Sequence, residues 1–180
     1  MNPWCPRHEC RDIRSLQAPL KAQYRADPQS AVVTLRAAAR LGEGVSCNVE
    51  TGRALVEAGL HPATGGTGEL VCSGDMLLQA LVACAGVTLS AVATALDLEV
   101  QSGTLTAEGD LDFRGTLGVS REAPVGFRTI RLGIRLESEA SEEELRKLLD
   151  LTERYCVVYQ TLRGNPDLSI HVDKGGDGGA

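Results

Sequence analysis

The sequence predicts an α+β sandwich, antiparallel strands covering apolar helices, and three observations carry that reading. Apolar and polar residues alternate with period two across 33–49, and again across 104–113 and 130–136, as half-buried strands do. Between these regions lies Ser73–Leu98, a stretch with no charge from Met76 to Leu96. After them, Ser141 and Glu144 stand at capping-box spacing before an amphipathic run.

Taken in order, residues 1–29 form a polar extension in which Ile13, Leu16, Leu20 and Tyr24 recur at helical spacing until Asp27-Pro28. Cys5, His8 and Cys10 lie close enough to suggest a metal site. The cysteine pair has four residues between and no second pair later, a weak signal, so no metal is assigned. The main domain, 30–173, begins with a meander. Val33, Leu35, Ala37, Ala39 and Leu41 form one strand face. Val45, Cys47 and Val49 form a second, and Arg53–Gly59 gives a third strand. Gly42-Glu43-Gly44 and Thr51-Gly52 make the turns. His61–Glu69 is glycine-rich but fits neither the Walker nor the dinucleotide pattern, and reads as a bent connection.

Ser73 is the expected N-cap of the central helix, and Asp75 in its first turn suits the helix dipole. Leu77, Leu81, Cys84 and Thr88 share one face, so the Cys84 sulfur is expected against packed structure. The uncharged length is enough to cross a bilayer. Gln79, Thr88, Ser90 and Thr94 interrupt it, however, and no basic residue flanks it closely, so a core helix is expected and no membrane. On this helix alone, Cys84 reads most simply as a small core residue. Next come two long strands, one with an acidic outer face (Glu108, Asp110) and one with an arginine outer face (Arg131, Arg135), suited to cross-strand pairs. The second helix presents Leu145, Leu148, Leu149, Thr152, Cys156 and Tyr159 on one face. Ile170 and Val172 are expected in a short last strand before a flexible tail, 174–180.

A formal charge of -6 disfavours a nucleic-acid groove or an anionic membrane surface, and 3% aromatics disfavour base stacking. The first residues show charges of both signs and no apolar run, hence no secretory signal. The six cysteines then read as thiols in a cytoplasmic protein.

Two cysteines on two core-facing helices make a close Cys84–Cys156 pair a reasonable expectation, with Cα atoms within about 7 Å if a disulfide is to form. A redox pair needs one thiolate, and Cys84 lies too far into its helix for the dipole of that helix to help. A nearby cation is therefore expected, and Arg40 and Arg53 are the candidates.

The stretch SGDMLLQALVACAGVTL resembles the central-helix motif of the OsmC/Ohr family, the osmotically induced and organic-hydroperoxide-resistance proteins, and ERYCVVYQTL resembles its second cysteine motif. The resemblance spans roughly residues 30 to 172. It implies an intertwined homodimer in which antiparallel sheets wrap two central helices, with active sites at the subunit interface. It further implies a peroxidatic Cys84 that reduces organic hydroperoxides, a resolving Cys156, an external dithiol reductant, and no metal, haem or flavin. Two departures stand out. Gly74-Asp75 occupies the place of the family's glutamate that pairs with the active-site arginine, with Asp75 as the shorter substitute. Val157 follows Cys156 where proline is common. The alternative function is an OsmC-like protein that binds a small molecule or electrophile without peroxidase activity.

Overall fold

The computed structural model describes residues 38–41, 46–50, 55–118 and 120–173, together with Ala22, Ala26 and Asp27. Most of the N-terminal extension, with its Cys5-His8-Cys10 trio, lies outside these residues, as do Arg53 and the tail. The expected meander is present: β1 (Ala38–Leu41), β2 (Ser46–Glu50) and β3 (Leu55–Gly59) pair antiparallel in sequence order. A two-residue strand, β4 (Val71–Cys72), then runs parallel to β3 and completes the sheet. It is too short to leave a periodic signal. The glycine-rich connection turns back through a 3-10 turn at Pro62–Thr64, followed by Gly65 and Gly68 with φ of 93° and 82°. Side chains rarely adopt that backbone, which accounts for the glycines.

Helix α1 (Ser73–Leu96) follows β4 directly. Cys72, not Ser73, holds its N-cap, in extended backbone and with no side-chain cap hydrogen bond. The reason is strand pairing: Cys72 sits opposite Gly59, so the chain stays extended up to the helix start. The helix also ends before the expected Leu98, because Asp97 adopts a left-handed conformation and its N–H closes on the Ala93 and Thr94 carbonyls. By length and composition α1 could cross a bilayer. One side of it, however, packs on β4, on β5 (Ser102–Leu111), and on α3 (Glu142–Tyr155) and α4 (Val157–Arg163). The buried face is Leu81, Ala85, Leu89, Val92 and Ala93. Cys84 and Thr88 are half-buried, and Leu77 is 37% exposed, so the expected stripe is rotated by about one residue.

Strand β5 pairs antiparallel with β6 (Phe127–Glu137) as a separate two-stranded sheet, and the short helix α2 (Phe113–Thr116) lies between them in sequence. The charged faces meet as expected. Arg131 stands opposite Glu108, bonds to it at 3.4 Å, and grips Asp110 with both terminal nitrogens. These groups are exposed, so they set register more than stability. The apolar faces of β5 and β6 turn the other way. Ile134 and Leu136 pack on a cluster of Leu89, Val92, Ala93 and Leu148.

Helix α3 opens with the expected capping box: the Glu144 N–H donates to Ser141 Oγ at 3.3 Å and the Ser141 N–H to Glu144 Oε2 at 2.8 Å. The expected single second helix is instead two, broken at Cys156, whose ψ of 108° is extended. The β-branched pair Val157-Val158 offers weak propensity to hold the helix through that point. The short strand expected at Ile170 and Val172 is not formed. Leu168, Ile170 and Val172 are 91%, 94% and 75% exposed, with no strand beside them among the described residues. Leu148 is fully buried at the α1–α3 contact. Leu148→Ala is accordingly expected to lower the unfolding free energy by about 2–5 kcal/mol, read as an earlier urea midpoint. A change below about 1 kcal/mol would mean that this contact is not the core.

Candidate active site

The two helices and the break between them bring two thiols together. Cys84 comes from the middle of α1, whose packing on β5, α3 and α4 fixes its position. Cys156 comes from the α3–α4 junction and is 1% exposed. The junction is held from both sides: the Cys156 N–H donates to Thr152 O at 3.0 Å, and its carbonyl accepts the Gln160 N–H at 2.9 Å. Gln160 Nε2 bonds to Glu153 O at 2.8 Å and Arg163 Nη1 to Glu153 Oε1 at 2.5 Å, fastening α4 back on α3.

The break has a chemical consequence. The first N–H groups of a helix have no partner within it, and here those of α4 turn to sulfur. Burial pushes the Cys84 thiol up. Against that, the Val158 N–H, the Cys156 thiol, the Val157 N–H and the Thr88 hydroxyl favour its anion, and the thiol is held below its ordinary value. Cys156 goes the opposite way. Burial raises it, and although the Tyr159 and Val158 N–H groups favour its anion, its own proton is held by the negative charge growing on Cys84. Of the two, Cys84 is thus the thiol that ionises more readily and Cys156 the one that holds its proton.

Of the other residues expected at the site, Asp75 is the one whose side chain the structure describes. Arg40 lies in β1, opposite Asn48. Arg53 is outside the described residues. Asp75 is exposed in the first turn of α1, nine residues before Cys84, which is about 13 Å along the axis and on the opposite helix face. It lines a separate cleft of about 350 Å³ with His61, Cys72, Phe113 and Phe127, so the structure does not bring Asp75 to the thiols. The sequence reading missed the donors Val157 and Val158, whose one signal was the β-branched pair after Cys156. Thr88 shares the Cys84 face of α1, and the sequence carries no further signal for it. Among the described residues, no group of three or more His, Cys, Asp or Glu could hold a metal ion.

A half-buried, readily ionised thiol with a second thiol beside it can attack a soft electrophile and then be resolved as a disulfide. Iodoacetamide should therefore label Cys84 faster than Cys156 at pH 7, by about tenfold or more. The thiolate is the reacting form and the Cys84 value is lowered, so its rate should rise with pH to a midpoint below that of free cysteine. Cys156→Ala removes one donor and should move that midpoint up. Peptide-level mass spectrometry reads both, and faster labelling of Cys156 would contradict the assignment.

Known proteins share this fold. The family model described as OsmC-like protein matches residues 66–171. Among solved structures, the OsmC-like protein of Mycoplasma pneumoniae superposes with a TM-score of 0.63 at 20% identity, over 74% of this chain and 89% of that one. An organic hydroperoxide resistance protein from Elizabethkingia anophelis gives 0.60 at 18%, over 74% and 91%. One from Legionella pneumophila gives 0.58 at 18%, over 74% and 92%. No curated protein matches the chain. At such identities the structures speak for the fold, and the family model covers more than half of the sequence. The chain, with both thiols inside the matched span, belongs to the OsmC-like protein family.

Proposed function

We propose that this protein is a thiol peroxidase that reduces organic hydroperoxides to alcohols. The observation that carries the reading is the placing of Cys84 on α1 beside Cys156 at the α3–α4 junction, with ionisation favoured at Cys84 and opposed at Cys156. The Cys84 thiolate attacks the distal oxygen of the hydroperoxide. The O–O bond breaks, the alkoxide leaves and takes a proton as the alcohol, and Cys84 becomes a sulfenic acid. Cys156 then attacks the Cys84 sulfur. The S–O bond breaks, and the departing hydroxide carries the Cys156 proton away as water. An external dithiol returns the Cys84–Cys156 disulfide to two thiols by exchange. Such cycling suits the cytoplasm, where reductants of that class are held reduced. Arg40 and Arg53 stay the candidates for a cation that orients the peroxide. Asp75, remote from the thiols along α1, is the weaker part of the expected set.

The working unit in this reading is a homodimer. The face of α1 opposite its core bears Ala80, Ala83 and Val87, all exposed, with Val87 at 73%. The alternating apolar side chains of Leu168, Ile170 and Val172 are bare as well. A second copy would cover both.

Reduced protein in which Cys5, Cys10, Cys47 and Cys72 are serine, treated with one equivalent of cumene hydroperoxide, should form a Cys84–Cys156 disulfide and one equivalent of cumyl alcohol. Cys84→Ser should abolish both products. Cys156→Ser should leave a Cys84 sulfenic acid that dimedone traps. Thiols that stay reduced in folded protein would overturn the peroxidase reading. Light scattering should give twice the chain mass, and Val87→Glu combined with Ile170→Glu should give the monomer.

A further inference from the structure

The chain has two phenylalanines, and both line the cleft at the start of α1, away from the thiols. Each is set by its own element. Phe113 opens α2, where Asp112 Oδ1 accepts the Arg114 N–H at 3.2 Å. Phe127 opens β6 beside the register shift at Asp110 and Leu111, and lies against Gly109, where a Cβ would collide with its ring. A third ring joins them: His61 stacks on Phe113 with centroids 5.0 Å apart and planes 18° apart. His61 is itself held. Its carbonyl accepts the Thr64 N–H at 2.8 Å and the Thr64 hydroxyl at 2.9 Å, and its Nδ1 accepts the Ala63 N–H at 3.0 Å. The aromatic walls are therefore formed in advance of any ligand.

Gly74, in the first turn of α1, leaves a hollow between them. A Cβ there would meet Phe127 Cζ at 3.5 Å, Cys72 Sγ at 3.6 Å and Leu111 Cδ1 at 3.8 Å, all ordinary contacts, so a methyl group would fit without strain. The charge of the lining is one-sided: two carboxylates, Asp75 and Asp110, and no lysine or arginine. Asp110 is already gripped by Arg131, whereas Asp75 has no ion-pair partner among the described residues. The positive end of the α1 dipole is worth about half a charge, less than the full charge of Asp75.

We propose that this cleft binds a small organic cation with an aromatic body, its ring against Phe113 and Phe127 and its positive group at Asp75. Aromatic faces attract a cation held within about 6 Å, and the carboxylate adds to that pull. An anion would instead meet two carboxylates. A volume of about 350 Å³ lies at the small end of ligand clefts, which suits a single ring with a small ammonium group. The site is separate from the thiols, because Asp75 and Cys84 stand on opposite faces of α1. It is also clear of the face proposed for a second copy. Leu78, which lines the cleft, precedes Val87 by nine residues, or two and a half turns, and so lies on the other side of the helix. The inference stands apart from the peroxidase reading.

The test titrates the 15N-labelled full chain with benzyltrimethylammonium and follows the amide shifts by NMR. Saturable shifts should centre on Gly74, Gly109 and Leu111. Benzyl alcohol, which is neutral, and benzenesulfonate, an anion, should bind at least about tenfold more weakly. Asp75→Asn, which removes the charge, and Gly74→Ala, which fills the hollow, should each weaken binding about three- to tenfold, with circular dichroism confirming the fold. Cys84→Ser should bind as wild type does. Absence of saturable shifts, equal binding of benzyl alcohol, or shifts scattered over surface carboxylates, as for a cation drawn only by net charge, would overturn the inference. So would wild-type affinity in folded Asp75→Asn and Gly74→Ala.

Discussion

The candidate site depends on one contact, between a sulfur on a rigid apolar helix and a sulfur at the break between two others. Taking a thiolate out of water is costly unless donors replace the water. Around Cys84 the Val158 and Val157 N–H groups, the Cys156 thiol and the Thr88 hydroxyl favour the anion against that cost. The dipole of α1 fades well before Cys84, and the start of a different helix takes its place. A continuous helix through Cys156 would have spent the Val157 and Val158 N–H groups on its own carbonyls. The extended backbone at Cys156 frees them.

The same contact explains why α1 is so apolar. Its buried side carries Leu81, Ala85, Leu89 and Val92 against α3 and the β5–β6 sheet, which keeps Cys84 from sliding relative to Cys156. With only two phenylalanines and one tryptophan in the chain, that packing rests on Leu, Val, Ile and Ala. Side chains of this kind fill space without polar atoms to satisfy. Two hydroxyls on α1, those of Ser90 and Thr94, are satisfied by its own carbonyls.

Much of this was legible in the sequence, and the parts that were not share a cause. Strands β5 and β6, the Ser141–Glu144 capping box and the α3 face with Leu148 all follow from periodicity and local hydrogen bonding, which a sequence displays directly. The two cysteines could be placed on core faces for the same reason. The N-cap at Cys72 could not, because it depends on a parallel pairing with Gly59 thirteen residues away. Nor could the break at Cys156, where weak propensity alone does not fix ψ. The bare Leu168-Ile170-Val172 segment has a strand's alternation and no strand beside it among the described residues. Spacing alone points to a cation beside Cys84, because the nearness of backbone N–H groups of α4 depends on tertiary packing that no local pattern displays.

Titration of the chain with 13Cβ-labelled cysteine, followed by NMR, tests the central claim most directly. The account predicts two coupled steps. The first, below the ordinary thiol range, should move chiefly the Cys84 carbon and perturb that of Cys156. The second, above that range, should move chiefly Cys156. Two independent single-step curves, or a first step on Cys156, would contradict it.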